Sequence, residues 1–202
     1  MNEEEARLWC EVRYDRQTVE SLGQFVDIVI AENGRQNLIS PASCSEIWSR
    51  HIVDSAQLSD LSDPKARTWF DVGSGAGFPG MVIAMVSGVH MTLIEPRARR
   101  AAFLSEAAAR LSLKNVTVCQ AKAEGVEGRA DVISARAVAS LTTLIAMTGH
   151  LCHERTRLIL PRGQNGASEV EQLPTKMRAM FHVEQSLTDA ASVIVVADGV
   201  RS

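Results

Sequence analysis

Asp71-Val72-Gly73-Ser74-Gly75-Ala76-Gly77-Phe78-Pro79-Gly80 closes a strand-like run that begins at Thr68, and it places four glycines within eight residues. A strand that ends this way must turn sharply, and the missing Cβ atoms let a ligand approach the backbone amides. Pro79 suits the first turn of a following helix. Chain reversal alone has no use for so many glycines. The segment predicts strand, ligand-binding turn and helix, the opening unit of an α/β domain of the nucleotide-binding type.

Outward from this turn, short strand-like runs alternate with helical ones from Arg67 onward, which predicts β-α-β units and a mostly parallel sheet covered on both faces. Strands are expected near 68–72, 91–94, 116–119, 131–134, 157–160 and 192–196, with helices over 97–113 and 141–152. Before Arg67 the pattern is helical. Leu22, Phe25, Val26, Val29 and Ile30 recur at steps of three and four, and Asn33-Gly34 offers a left-handed stop. Ser43-Cys44-Ser45-Glu46 reads as a capping box opening a helix that carries Ile47, Trp48, His51 and Ile52. A loop from Asp60 to Lys65, with Pro64, divides a helical cap (1–66) from the ligand-binding domain (67–202).

With 202 residues, 46% of them apolar, the chain can bury one substantial core but not two full domains. The acidic start Met1-Asn2-Glu3-Glu4-Glu5 is unlike a signal peptide, and the apolar stretch 80–94 is interrupted by Ser87 and His90. A cytoplasmic protein without membrane association is expected. Cys10, Cys44, Cys119 and Cys152 are scattered, with no metal-ligand spacing, and read as reduced core thiols rather than metal ligands. The net charge of −3 divides unevenly, −6 over residues 1–66 and +3 over the rest, so an anionic partner should meet the second part.

Two ligands compete for the turn. Gly75-x-Gly77-x-x-Gly80, with Glu95 twenty residues beyond Gly75, matches a dinucleotide fingerprint and keeps an NAD-dependent oxidoreductase open. Asp71, two residues before the first glycine, would repel a pyrophosphate but favour the cationic sulfonium and ammonium of S-adenosylmethionine. A P-loop is excluded, because no Gly-Lys-Ser/Thr follows. Glu95 should reach a ribose diol from the edge of the second strand, and Ala123-Glu124 is placed to flank an adenine. Arg136 stands where many amino-methylating enzymes have an Asn/Asp-Pro-Pro-aromatic segment, and no Cys sits in a Pro-Cys context. The remaining methyl-transfer chemistry needs positioning but no covalent catalyst: a ring nitrogen with a free lone pair, such as guanine N7, attacks without first losing a proton.

Arg97, Arg99 and Arg100 open a helix, where cations oppose the macrodipole, so they read either as phosphate contacts or as a solvated face paired with Glu106 and its neighbours. His51, Asp54 and Ser55 have the residue types of a catalytic triad but project side by side, and read as a polar cluster that faces the cofactor mouth or caps the subdomain. The absence of a visible base also leaves open a non-enzymatic RNA-binding module on the same fold.

Asn37-Leu38-Ile39, Arg50-His51-Ile52-Val53-Asp54-Ser55, Asp71 to Gly80, Arg99-Arg100 before Phe103-Leu104, Ala123-Glu124, and Ser134-Ala135-Arg136-Ala137-Val138-Ala139 together resemble the RsmG/GidB family of ribosomal RNA small-subunit methyltransferases. The resemblance runs from the second helix to about Gly163. It implies a class I, Rossmann-like methyltransferase sheet of seven strands under an N-terminal helical cap, S-adenosylmethionine as donor, and methylation at N7 of guanine 527 in 16S ribosomal RNA. It places cofactor contacts on Gly73, Phe78, Ala123, Glu124 and Arg136, and a polar cluster on His51 and Asp54. Gly75, Gly77, Asp71 and Glu95 join the cofactor set from the turn itself, with His51, Asp54 and Arg136 the candidate catalytic groups. The modest net charge points to a folded small-subunit ribonucleoprotein particle as substrate. The chain departs from its relatives at Arg99-Arg100 and Pro161-Arg162-Gly163, where lysines are common in the family.

Overall fold

The computed structural model describes residues 1–200. Glu3–Arg13 forms α1, with Asn2 and Glu5 capping each other's backbone, and Arg16–Gln36 forms α2 behind the Asp15 cap. Leu22, Phe25, Val26 and Val29 are buried as their spacing predicts, but Ile30 is exposed and Ile28 is buried in its place. The helix also outruns the expected stop at Asn33-Gly34. Asn33 keeps helical geometry, lending its carbonyl to the cap N–H of Asn37 and its side chain to Ile39 N, and Asn37 takes the left-handed turn at φ 50°.

The expected capping box at Ser43 is likewise displaced. Ser40 is the cap of a short α3 (Pro41–Cys44), with Pro at its first position, while Glu46 pairs with Arg50. A π-helical stretch, Trp48–Val53, runs into α4 (Asp54–Ala56) and a 3₁₀ turn, Gln57–Leu61. Glu3 accepts the backbone N–H of Trp48 and Ser49, so α1 caps the π segment from outside.

The sheet contains β1 (Thr68–Val72), β2 (His90–Ile94), β3 (Val116–Cys119), β4 (Val132–Ala135), β5 (Arg157–Arg162), β6 (Phe181–Gln185) and β7 (Val193–Asp198), in the order β3-β2-β1-β4-β5-β7-β6. Pairing is parallel from β3 to β5, and β7 is antiparallel to both neighbours. The expected strands all form, 68–72 and 116–119 as expected and the others with ends shifted by one or two residues. β6 eluded the pattern reading because it is an edge strand whose residues stay largely exposed, so Phe181-His182-Val183-Glu184-Gln185 lacks an apolar face.

Helices α5 (Gly80–Ser87), α6 (Ala98–Arg110), α7 (Leu141–Thr148), α8 (Gly166–Glu171) and α9 (Thr175–Arg178) complete the chain. Strand alternation sends Trp69, Met91, Leu93 and Val132 to one face, against Phe25, Trp48, Met81 and Leu104. Phe70, Val72, Ile133 and Leu158 go to the other, against Leu141, Leu144 and Val170. The N-terminal helices thus share a core with the sheet rather than building their own. Strand order reverses between β1 and β4, which opens a crevice at the carboxyl ends of these strands. Among the described residues no helix is long and apolar enough to cross a membrane.

Candidate functional site

The glycine turn lies at that crevice. Gly73, Gly75 and Gly77 all have positive φ, 70°, 56° and 93°, which side chains with a Cβ resist. Gly73 N and Ser74 N both donate to Ile94 O, at 2.8 and 3.2 Å, and tie the turn to the end of β2. Glu95 is buried beside it: Oε2 accepts from Gly75 N at 2.9 Å and Oε1 from Arg97 N at 2.8 Å. Each carboxylate oxygen keeps a further lone pair, but Glu95 is only 3% exposed and borders neither of the cavities at this edge of the sheet.

Asp71 occupies a different place from the one its charge suggests. The pleat sends its side chain to the face of Trp69, away from the cavity that Val72 lines, and it is fully buried. Its Oδ1 accepts from Ser134 Oγ at 2.6 Å and its Oδ2 from Gly80 N at 3.2 Å. Ser134 in turn accepts from Trp69 Nε1 at 2.9 Å. Burial pushes the Asp71 carboxyl up to about 6, against the pull of these hydrogen bonds. Asp71 fastens the start of α5 to β1 and β4 from beneath the turn.

Two cavities open at the carboxyl edge of the sheet. One, of about 310 Å³, is bounded by Val72, Gly73, Ile94, Ala123, Glu124 and Met147. Ala123 and Glu124 sit in a 3₁₀ turn after β3, Ala123 buried and Glu124 exposed. The other, of about 350 Å³, is bounded by Asp54, Arg136, Arg162, Asn165, Ser186 and Ile194. The loop after β4 runs between them: Arg136 and Ala137 line the second, Val138 the first. Ala137 holds a left-handed φ of 54°.

Phe78 joins this loop to the cap. Its buried ring stacks on His51 (centroids 4.8 Å apart, planes at 18°) and tilts against Phe25, and the Arg136 guanidinium lies 5.5 Å over its face. Phe78 therefore reaches the cofactor region through its neighbours and lines neither cavity. Both His51 nitrogens are buried without a hydrogen-bond partner. Burial first, then the charges of Arg136 and Arg50, push the imidazole down to about 3, so it is neutral. The Asp54 carboxylate pairs with Arg136 Nη1 at 3.5 Å and makes no bond to the His51 ring; Ser55 Oγ donates to the His51 carbonyl, so no triad forms. Burial raises the Asp54 carboxyl and lowers Arg136, outweighing their mutual attraction in both. Arg136 remains a cation because its ordinary value lies far above neutrality.

Arg97 and Arg99 are exposed at the start of α6; Arg99 touches Arg35 O, and the Arg100 guanidinium lies near Gly75. Glu106 pairs with Arg110 instead of these arginines. Burial pushes the Cys10 and Cys152 thiols up to about 12 and about 11, which leaves them protonated and unreactive. Arg162 was not singled out as a site residue by sequence. Its Nη1 donates to Ala139 O at 2.8 Å, while Nε and Nη2 are buried without a partner. The signal that could have found it is its place at the carboxyl end of a parallel strand.

Comparison with known proteins agrees with this architecture. Among solved structures, an S-adenosylmethionine-dependent O-methyltransferase from Thermotoga maritima superposes with a TM-score of 0.59 at 16% identity, over 88% of this chain and 72% of that one. TYW2 from M. jannaschii, solved in complex with AdoMet, gives 0.56 at 16%, over 73% and 74%. Such likenesses establish the class I methyltransferase fold. Ribosomal RNA small subunit methyltransferase G of Sphingopyxis alaskensis is 44% identical over 98% of this chain and 87% of its own length. The protein of the same name from Rhizorhabdus wittichii is 42% identical over 100% and 94%. The model of the GidB family, rRNA small subunit methyltransferase G, matches residues 18–193, and the chain belongs to that family.

Proposed function

We propose that the protein methylates N7 of a guanine in 16S ribosomal RNA, guanine 527 in the family's target, with S-adenosylmethionine as the donor. The observation that carries the reading is the pair of cavities at the carboxyl edge of β1 and β4, divided by the Arg136–Ala139 loop. The residues fit the cofactor. Val72, Ile94, Ala123 and Met147 offer apolar walls for an adenine, with Glu124 at its edge, and Glu95 holds the turn through Gly75 N. Gly73 and Gly75 allow close backbone approach, while Gly77 bends the turn and clears the space taken by Phe25 and Met81. Bound there, the cofactor supplies an electrophilic methyl on a sulfonium.

The chain's own part is binding and orientation. The second cavity, edged by Arg136 and Arg162, receives the target base and its phosphate, and Arg97, Arg99 and Arg100 meet neighbouring phosphates. Guanine N7 attacks through its lone pair, so no side chain has to remove a proton, in keeping with a neutral, buried His51 and a buried Asp71. Residues 1–66 act as a cap over the domain formed by 67–202. A cationic patch on an acidic chain gives weak general affinity, which favours a ribonucleoprotein particle over free RNA.

Nuclease digestion and mass analysis of ribosomal RNA from cells with and without the gene test the reaction: one N7-methylguanine should disappear, and an unchanged inventory would overturn it. Calorimetry should show binding of S-adenosylmethionine; binding of NAD alone would restore the oxidoreductase reading. Equal methylation of particles and free RNA would remove the particle preference.

A further inference from the structure

We infer that Asp54 is a positioning residue for this methyl transfer: it holds the Nη1 edge of Arg136 and leaves the guanidinium's Nε–Nη2 fork for an oxyanion at the cavity Arg136 lines. The inference rests on the reading of the site given above. Two groups of the cap meet Arg136 Nη1: Arg50 O accepts from it at 3.4 Å, and Asp54 Oδ2 forms an ion pair with it at 3.5 Å. The guanidinium carbon lies over the Phe78 ring, 5.5 Å from its centroid, which adds a second contact to the tether. Among the described residues Nε and Nη2 have no protein acceptor, and the side chain borders the cavity of about 350 Å³. A planar fork with one edge tethered and the other open matches bidentate binding of a carboxylate or phosphate.

Asp54 is itself held by neutral donors. Its Oδ1 accepts from Thr188 Oγ1 at 3.0 Å, Gln57 Nε2 at 3.1 Å and Ser186 Oγ at 3.5 Å. Gln57 also accepts from Leu187 N at 2.8 Å. With Oδ1 taken by these donors, Oδ2 is what remains for the arginine. Three segments distant in sequence meet at this carboxylate: the cap, the loop after β4, and the 186–188 turn between β6 and β7. A surface ion pair would not be braced in this way, and both side chains here are only about a fifth exposed (22% and 17%).

The oxyanion is either the amino-acid carboxylate of the cofactor or a phosphate of the RNA, and a double-mutant cycle with two binding readouts separates them. Asp54→Asn keeps the shape and the Oδ1 acceptor but removes the charge, and should lower kcat/KM about 10- to 100-fold. Arg136→Lys, which keeps charge without the fork, should do the same, and the double variant should be no slower than Arg136→Lys alone. A weakened cofactor Kd by calorimetry assigns the carboxylate; a raised KM for ribosomal RNA assigns the phosphate; movement of neither overturns the inference. Full multiplication of the two single effects also overturns it, since Asp54 would then act independently of Arg136. Wild-type rates for Asp54→Asn beside an impaired Arg136→Lys refute the role of Asp54 alone, while wild-type rates for Arg136→Lys refute the reading of Arg136 as well. Should Asp54→Asn fail to fold, Thr188→Val, which removes one brace and keeps the charge, carries the same cycle.

Discussion

Gly73→Ala puts two separable costs on one atom. The backbone there has φ +70°, where a Cβ costs about 1–2 kcal/mol. The added methyl would also stand 2.5 Å from Val138 Cγ2, well inside contact distance. Overpacking of this kind costs about 1–3 kcal/mol, and the low end applies because Val138 is 36% exposed and its loop can give. The two together amount to about 2–3 kcal/mol, or roughly 4–12 °C in Tm for a chain of this size. Val138→Ala should recover about 1 kcal/mol in the Gly73→Ala background, by removing the overlap but not the strain. Urea denaturation of the wild type, both single variants and the double variant measures this, with cofactor calorimetry alongside. Displacing Val138 shifts the loop that carries Arg136, so Gly73→Ala should weaken cofactor binding about tenfold or more, with part of the loss restored in the double variant. Strict additivity of the two substitutions would refute the contact, and wild-type stability of Gly73→Ala would refute the strain.

Glu95→Ala removes the acceptor for Gly75 N and Arg97 N; at about 1–3 kcal/mol per unpaired donor it should lower Tm and weaken cofactor binding, whereas loss of affinity without loss of stability would show that the turn stands without it. The Asp71 carboxyl is raised in the folded state from 3.8 to about 6, so the native protein takes up that proton first. The stability Asp71 confers is present below about pH 4 and lost as pH rises through 6, by up to about 3 kcal/mol. Asp71→Asn should lack this component, so urea midpoints of the two proteins should diverge between pH 4.5 and 7; parallel profiles would contradict the burial argument. His51→Phe retains the stacking on Phe78 and removes two unpartnered nitrogens, so it should be as stable as the wild type or about 1 kcal/mol more so. Methylation at the wild-type rate would exclude His51 from the reaction, while a lost rate with retained stability would give its nitrogens a ligand.

The glycine turn was legible because its backbone demand is local: positive φ at Gly73, Gly75 and Gly77 has to be written in residue type. So were the strands that bury apolar side chains on both faces. The stops and starts of the cap were less so. Asn33-Gly34 and Asn37 are both competent to end a helix, and the contacts that go with the later stop, Gln36 Nε2 to Arg99 O and Ile39 N to Asn33 Oδ1, lie outside the local pattern. Ser40 and Ser43 are both competent caps, and Pro41 selects the first. For Asp71 the charge suggests one place and the pleat imposes another: a one-residue step separates Val72, which lines a cavity, from Asp71, which lies on the other face. Asp54 and Arg136 were visible as residues, but their pairing and its braces at Ser186 and Thr188 depend on contacts across more than 80 residues, which no local pattern records.

The chain from Trp69 through Ser134 to Asp71 gives the protein an internal optical reporter. Trp69 is buried and its indole N–H donates to the hydroxyl that donates to Asp71, so the field at the indole depends on whether that carboxyl is charged and on whether the turn above it moves. Trp48 Nε1 has no partner, and Trp9 meets Tyr14 edge to face with the Arg13 guanidinium over its ring. With Trp9 and Trp48 replaced, the ultraviolet emission of Trp69 should therefore respond to changes at the underside of the cofactor turn, ligand arrival included.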